Sequence, residues 1–316
     1  MAKFGFNSSD LLDSIKTRAA VPLAQSAFSE TALLNFASEE LNIKILPAIL
    51  SVREEFYVTE ASVAMINGKS NYKIPYRAIG GKVRFVYLMQ SDTQAKPLAQ
   101  LPMEALVDYK ASSFAYQEAG FYLQNDELII LPPISGTVSA VLRFKYYMKP
   151  NKVVALSRGA EITAIDTNTG SITVASVPSN ITVTSQIDFI GSTGNFKTKG
   201  FDITPNSVSS SSKVVTINPS SIPSDLQVGD YICTAGESVI PQIPAELHVM
   251  LAQAVACRIL EAIGDAQGLA NATNKLAEMK EDLLHIIDNR VEAPVRKISN
   301  RNSFFRNNRF VRRWYN

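Results

Sequence analysis

Short β-branched runs between about Leu156 and Ile240 constrain the fold most, because helical patterns stand on both sides of them. The runs read EITAIDTNTGSITVASV, ITVTSQIDFIG, SKVVTINPSSI and LQVGDYICTAG, and Gly, Ser, Asn and Pro separate them. Short extended runs between turn residues are typical of a small antiparallel sheet or barrel. Since helical sequence precedes and follows, the pattern predicts a β domain inserted into a different core.

Two helices are predicted near the start of the chain. The first spans residues 9–18 with Ser9 as its cap, and the second begins after a Ser29 cap. Apolar residues recur at helical spacing in the second, at Leu33, Phe36, Ala37 and Leu41. Pro47 lacks an amide hydrogen, so we expect it to kink this helix or to open a new segment.

A helical hairpin is predicted after the β region. The apolar stripe of its first helix is Leu247, Leu251, Ala254 and Val255. The stripe of its second helix is Leu269, Ala272, Leu276, Met279, Leu283 and Ile286. The breaker GDAQG lies between them, and two facing amphipathic helices joined by a short glycine turn form a hairpin.

The first half of the chain also carries strand patterns. In YKIPYRAIGGKVRFVYLM, the two-residue period predicts one shared face for Val83, Phe85 and Tyr87. AGFYLQNDELIILPP predicts a hairpin that turns at residues 124–127. A further strand alternates through Val138, Ala140, Leu142, Phe144 and Tyr146. Residues 102–113 predict a small helix, with a proline in its first turn.

These patterns together predict an α+β fold with more than one structural unit, which suits a chain of 316 residues. Residues 1–155 and 241–295 are expected to form a helical core with a helical hairpin and short antiparallel strands. Residues 156–240 are expected to form the inserted small all-β domain. Residues 296–316 are expected to form an extended segment, the C-terminal arm.

Positive charge is concentrated in the C-terminal arm. The arm contains no carboxylate, and its seven cations are Arg296, Lys297, Arg301, Arg306, Arg309, Arg312 and Arg313. Removing them from the 31 basic residues leaves 24 against 29 acidic ones, a net charge of −5 for the rest of the chain. This asymmetry indicates a partner-binding arm rather than a generally basic surface.

Aromatic residues alternate with those cations, and they are Phe304, Phe305, Phe310, Trp314 and Tyr315. Basic residues neutralise phosphates and aromatic rings stack on exposed bases, so the arm could bind nucleic acid. Arginine and aromatic residues are also the preferred anchors of protein interfaces. We favour protein docking, with charge steering the encounter and the aromatic rings filling pockets.

The sequence contains no recognisable catalytic or metal-binding pattern. His248 and His285 have no second ligand at metal spacing, and Cys233 and Cys257 have no activating neighbour in sequence. GSTGNFKTKG lacks the spacing of a phosphate-binding loop. We therefore expect no enzyme activity, cofactor or metal, and a reduced compartment for the two cysteines. No stretch approaches the roughly 18 apolar residues of a membrane span, so we expect a soluble chain folded in a cytosol.

The chain resembles one known family at specific places. LLDSIKTRAAVPLAQSAFSETALLNFASEEL, followed by LPAILSVREEFYVT and YKIPYRAIGGKVRFV, looks like the opening of head-to-tail connector (adaptor, or neck) proteins of tailed bacteriophages. The later AGFYLQNDELIILPP, QVGDYI, IPAELHVMLAQAVACRILEAIGD and NRVEAPVRKISNR are similar to that family as well. The resemblance covers most of the chain and is weakest over residues 156–225.

The resemblance implies a structural role without turnover. Such proteins form a homo-oligomeric ring beneath the portal, typically a dodecamer, in the host cytoplasm and then at the head–tail junction of the virion. The ring gives the tail or the next neck protein its docking surface, and genome DNA passes through its channel without sequence-specific binding. A terminal extension commonly reaches the portal protein, which implies that the C-terminal arm docks there.

Two alternatives remain open at this point. The chain could be a nucleic-acid-binding protein that acts through the C-terminal arm. It could also be a glycan-binding or hydrolytic protein in which residues 156–240 form the recognition module.

Overall fold

The computed structural model describes residues 6–20, 28–91, 94–102, 119–133, 140–194 and 196–287. The C-terminal arm lies outside these residues, as does the helix predicted at 102–113 apart from its first residue. The described helices and antiparallel strands confirm the predicted α+β class.

The helices are α1 (Ser8–Arg18), α2 (Glu30–Glu40), α3 (Leu46–Val52), α4 (His248–Ile263) and α5 (Ala266–Ile287). A π-helical turn, Leu41–Ile45, joins α2 to α3. Short 3-10 turns are Glu54–Tyr57, Leu156–Arg158, Pro219–Ser221 and Ala245–Leu247.

The strands before the predicted insertion are β1 (Val58–Ala64), β2 (Asn71–Lys73), β3 (Ala78–Ser91), β4 (Gln94–Pro97), β5 (Ala99–Gln100), β6 (Gly120–Gln124), β7 (Glu127–Leu131), β8 (Val141–Met148) and β9 (Lys152–Val153). Those within it are β10 (Ala160–Asp166), β11 (Ser171–Val174), β12 (Ile187–Ile190), β13 (Thr198–Ile203), β14 (Ser207–Ser209), β15 (Val214–Thr216), β16 (Tyr231–Thr234) and β17 (Glu237–Ser238). They form sheets in the orders β1-β8-β3-β4, β2-β7-β6-β5 and β13-β12-β16-β10-β11-β15-β14, together with a β17-β9 pair.

The cap of α1 differs from the prediction, while that of α2 agrees with it. Asn7 Oδ1 accepts hydrogen bonds from the N–H groups of Ser9 and Asp10, each at 2.9 Å. The Asn7 N–H donates in return to Asp10 Oδ2 at 3.2 Å. This reciprocal capping box places Ser9 inside the first turn instead of before it. Ser29 caps α2 as predicted, because its Oγ accepts the Ala32 N–H at 3.2 Å.

The helix changes its winding before Pro47, where a kink or a new segment was predicted, and the change is the π-helical turn. The proline is in the first turn of α3, and the helical path runs without interruption from α2 into α3. In the π turn, the Leu46 N–H donates to the Leu41 carbonyl five residues earlier. This wider turn lies directly before the residue that lacks a donor, so the chain changes its helical winding instead of ending the helix.

The helices form the first core around α4. The four residues of its predicted stripe are all fully buried, and so are residues on its other faces such as Ala252 and Ala256. Most of α4 is therefore enclosed by the rest of this core. The side chains of α1, α2, the π turn and α3 that pack with it include Leu11, Ile15, Leu33, Ala37, Leu41, Ile45 and Ile49.

Helix α5 packs on α4 and forms the predicted hairpin, although one residue of its predicted stripe is wrong. Ile286 is 62% exposed, whereas Ile287 is buried in the first core. Ile287 follows Leu276 by eleven residues, or three full helical turns, and so returns to the same face. The side chain of Leu283 lies outside the described part of the chain.

The two four-stranded sheets form the second core, and β3 contains a bulge that the sequence pattern did not predict. The register of β3 on β8 shifts between Val83 and Phe85. Val83 packs on the second core, whereas Phe85 is 46% exposed and its ring centroid lies 5.7 Å from that of Tyr87. The predicted shared face therefore holds for Phe85 and Tyr87 but is wrong for Val83. An extra residue in a bulge reverses the alternation of side chains, which turns Val86 and Leu88 inward.

Two other strand predictions in this half are confirmed. Strands β6 and β7 form the predicted hairpin, with Gln124 opposite Glu127 and Asn125 in the left-handed region at a φ of 55°. Along β8, Leu142, Phe144 and Tyr146 are buried as the alternation predicts.

The seven-stranded sheet lies entirely between Ala160 and Thr234 and encloses a third core. The residues of that core include Ile162, Ile172, Ile187, Phe189, Val215 and Ile232. Residues 237–238 pair in parallel with residues 152–153, so the last part of the predicted insertion belongs to the connection with the helical core. A separate apolar cluster at this connection includes Val154, Ile190, Phe196, Tyr231, Val239 and Ile240.

Candidate protein-binding groove and insertion junction

An open groove of about 530 Å³ runs between α3 and α5 above α4 and is called the helical groove below. Met250 and Ala254 of α4 and Ala48 of α3 form its buried base. On its rims, Ile43 is 66% exposed, and Ala277 is exposed as well. The lining is therefore apolar and accessible from outside.

Small side chains leave this groove open. Ala48, Ala254 and Ala277 face it from three different helices, so little side-chain volume fills the space between those helices. The base is sealed by Met250, which belongs to the first core. A second surface with protruding side chains could therefore enter without displacing the core.

The charged groups that line the helical groove are both cations. Lys44 forms an ion pair with Glu40, its Nζ lying 2.7 Å from a carboxylate oxygen. Lys280 stands exposed on α5. The lining of the groove includes no carboxylate, but the charge of Lys44 is balanced by Glu40 next to it.

Helix α5 is poorly covered for its length of 22 residues. Of its described side chains only Ala272 and Ile287 are buried, and Leu269, Leu276 and Met279 are half-buried. Helices in proteins are held mainly by packing of an apolar face, so such limited burial indicates a surface that another chain can cover.

The acidic pair at residues 39–40 is held by an arginine of α4. Glu40 is only 5% exposed, at the end of α2. Arg258 of α4 reaches both acids, with Nη1 2.5 Å from Glu39 and 3.7 Å from Glu40. The same guanidinium lies 4.4 Å from the centroid of the Phe36 ring. This cluster joins α2 to α4.

A buried ion pair joins the core to the predicted insertion. Arg77, directly before β3, is 6% exposed and Asp188 on β12 is fully buried. The guanidinium binds both oxygens of Asp188, with N–O distances of 2.7 and 2.9 Å. Its Nη2 also lies 2.6 Å from Asp202 Oδ1 on β13. A bidentate arginine–carboxylate pair fixes orientation as well as distance.

Further donors complete this pair. Asp188 accepts from Asn151 Nδ2 and from the Gly236 N–H, each at 2.9 Å. Burial opposes the charge on Arg77, but hydrogen bonds to Asp188 and Asp202 outweigh it and raise the pKa of the guanidinium. The group is therefore a permanent cation whose role at this junction is structural.

Sequence reasoning missed this junction, although one signal of it was visible. Asp188 interrupts the apolar strand IDFI, in which every residue is buried. A charge in the middle of a buried strand requires a partner, because an unpaired buried charge is strongly unfavourable. The position of that partner, 111 residues earlier, could not be read from the sequence.

His248, the first residue of α4, holds the backbone at Phe6 against this helix. The ring is 1% exposed. Its Nδ1 accepts the Phe6 N–H at 2.8 Å, while Nε2 lies 3.1 Å from the Pro241 carbonyl and 3.2 Å from that of Ile243. These partners require a neutral ring with its proton on Nε2. Burial, the largest effect, lowers the pKa of His248 to about 4, although the two carbonyls favour the charged form.

We expect this histidine to make stability depend on pH. The unfolded chain binds a proton near pH 6.5 and the folded chain only near pH 4, so stability is complete above pH 6.5 and falls as the pH is lowered. Between pH 6.5 and about pH 5 the loss should be about 2 kcal/mol. Urea unfolding across this range should show a slope that His248→Gln removes and His285→Gln, at an exposed position, retains. Equal slopes in both variants would contradict this role.

The two cysteines are free and buried in different clusters. Burial raises the pKa of the Cys233 thiol to about 12 and raises that of Cys257 as well. Within the described ranges, no group of three or more His, Cys, Asp or Glu side chains could hold a metal ion. No helix in that part of the chain is long and apolar enough to cross a membrane.

The portal-docking residues predicted in the C-terminal arm all lie outside the described residues, so their arrangement stays a prediction. No protein-family model matches this sequence, and no curated protein matches it either.

Proposed function

We propose that this chain is a structural virion protein that forms a ring at the neck of a tailed phage and joins the portal to the tail. The resemblance to connector proteins motivates this proposal. The helical groove supports it most directly, because an accessible apolar groove beside a poorly covered helix is a surface suited to another copy of the chain.

Copies of the chain form a ring if the surface that covers the groove of one copy is a different part of the next copy. Contacts between two different surfaces of identical chains generate rings when the rotation between neighbours closes. The family resemblance sets the expected number at twelve. In this proposal the ring docks on the portal through the C-terminal arms, offers its other side to the tail or next neck protein, and lets DNA pass through its channel.

Imaging of the virion neck tests the proposal. Density for this chain should follow cyclic symmetry directly below the portal, with α5 and the helical groove at the contact between neighbouring copies. The control is a particle assembled without this gene product, which should lack that layer. Finding the chain only as an isolated monomer in infected cells would contradict the proposed function.

A further inference from the structure

We propose that the turn between α4 and α5 of one copy binds in a basic cleft of a second copy. The turn, residues 261–267, is called the hairpin tip below. The cleft lies between α2, the start of β3 and residues 149–152, and is called the basic cleft. The inference rests on the proposed function, since it names two surfaces through which neighbours in the ring would meet.

The basic cleft is open and has a volume of about 970 Å³. Its lining includes the apolar side chains of Leu46 at the start of α3 and Ile79 on β3, together with polar and charged groups. A single side chain cannot fill a space of this size. The cleft can therefore admit a protruding turn of another protein chain.

Unpaired positive charge distinguishes the basic cleft. Lys149 and Lys152 both line it and are exposed, and neither forms an ion pair within the described part of the chain. The other two charged groups of the lining, Glu39 and Arg77, are already held in the ion pairs described above. The cleft thus offers two cations to an acidic partner.

The basic cleft also contains a buried polar atom that lacks a partner. Asn42 Nδ2 donates to the Ser38 carbonyl at 2.7 Å. Asn42 Oδ1, by contrast, is buried and accepts no hydrogen bond from any described residue. A buried acceptor without a donor is unfavourable, so a group that brings a free N–H into the cleft would be stabilised there.

The hairpin tip has the features that match this cleft. All of its residues are exposed, and Ile263 is 50% exposed. Glu261 and Asp265 stand on either side of this isoleucine, and neither forms an ion pair with a described residue. The first N–H groups of a helix have no partner within it, so the start of α5 also supplies donors. An apolar side chain between two acids complements a cleft with apolar residues and two lysines.

The tip that fills the cleft must come from another copy. No residue of the hairpin tip lines the basic cleft of its own chain. Ile259 and Leu260, directly before the tip, are buried, so moving the tip into that cleft would unpack the helices. Ile43 lines both the basic cleft and the helical groove, so a neighbour that covers the groove also reaches the cleft.

Cross-linking between two differently tagged full-length chains tests this contact. One chain carries Ala262→Cys at the tip and the other Asn35→Cys in the cleft, and a short bismaleimide joins them while the native cysteines are buried. The product with both tags should form about tenfold faster than products of two tip chains or two cleft chains, because a specific contact raises the local concentration. Asn271→Cys, at an exposed position of α5 outside the tip, is the control and should lack this preference.

An exchange of charges shows whether the two surfaces face each other. Lys152→Glu in the cleft chain should slow formation of the mixed product about tenfold, because like charges then meet. Glu261→Lys in the tip chain should restore much of the rate. Asp265 is left unchanged, because its Oδ1 accepts the Gly268 N–H at 2.9 Å at the start of α5. A substitution in one chain cannot repair a folding defect in the other, and circular dichroism melts establish that each variant folds.

Three outcomes overturn the inference: no product with both tags, equal rates for Ala262→Cys and Asn271→Cys, or no recovery with Glu261→Lys. If the neck shows the ring with the hairpin tip outside the cleft, the proposed function stands and only this inference is lost. If the charge exchange succeeds but the neck shows no ring, the contact between copies stands and the proposed function is lost.

Discussion

Removal of residues 296–316 is expected to abolish retention of this chain on its portal partner while residues 1–295 remain folded. The described cores end at Ile287, so the truncation removes none of their residues. The arm contributes seven cations and five aromatic residues to the proposed interface. Portal pull-down measures the loss, and an unchanged melting curve of the truncated chain is the control.

Substitutions within the arm separate protein docking from DNA binding. Replacing Phe304, Phe305, Phe310 and Trp314 by alanine should weaken portal attachment sharply, because each buried aromatic anchor typically contributes about 2 kcal/mol or more. Replacing the arginines by lysine keeps the charge but loses planar bidentate contacts, so portal docking should weaken as well. A DNA arm would tolerate lysine and lose affinity steeply with salt. Undiminished portal retention by the alanine variant would falsify the docking hypothesis.

The parts of the fold that could be predicted from sequence are those with strong local periodicity. The α4 stripe, the α4–α5 hairpin and the β6–β7 hairpin follow from spacing and turn residues, and the structure has all three. The wrong predictions have two different causes. The bulge before Phe85 reverses a two-residue alternation, and nothing in that alternation reveals it. The position of Ile287, by contrast, agrees with the helical period counted from Leu276, so assigning Ile286 to the stripe was an error in applying the period.

The interaction surfaces could not be predicted in the same way, because they are assembled from distant segments. The helical groove combines small residues of α3 with those of α4 and α5, roughly 200 residues later in the chain. Ala48, Ala254 and Ala277 look in the sequence like ordinary core positions of three helices. Their joint effect, a gap that side chains do not fill, exists only after the helices have packed.

Arg77→Met is expected to be one of the most destabilising substitutions in this chain, because it breaks a buried ion pair between distant segments. Arg77 comes from the strand half of the core, whereas Asp188 and Asp202 come from the seven-stranded sheet. The substitution leaves Asp188 fully buried without its cation, and an uncompensated buried charge of this kind typically costs about 3–5 kcal/mol. Urea unfolding should show a matching fall in the free energy of unfolding.

Arg158→Met is the matched control, because it removes the same side chain from another ion pair at the edge of the insertion. Arg158 Nη2 lies 2.7 Å from Glu237 Oε1, but the arginine side chain is 49% exposed. The Glu237 side chain is 19% exposed, whereas Asp188 is fully buried, so the loss should be clearly smaller, about 1 kcal/mol. A double variant, Arg77→Met with Asp188→Asn, should recover part of the stability lost in Arg77→Met, because it removes the buried charge left behind. Equal destabilisation by Arg77→Met and Arg158→Met would show that burial of the Arg77–Asp188 pair does not hold the insertion to the core.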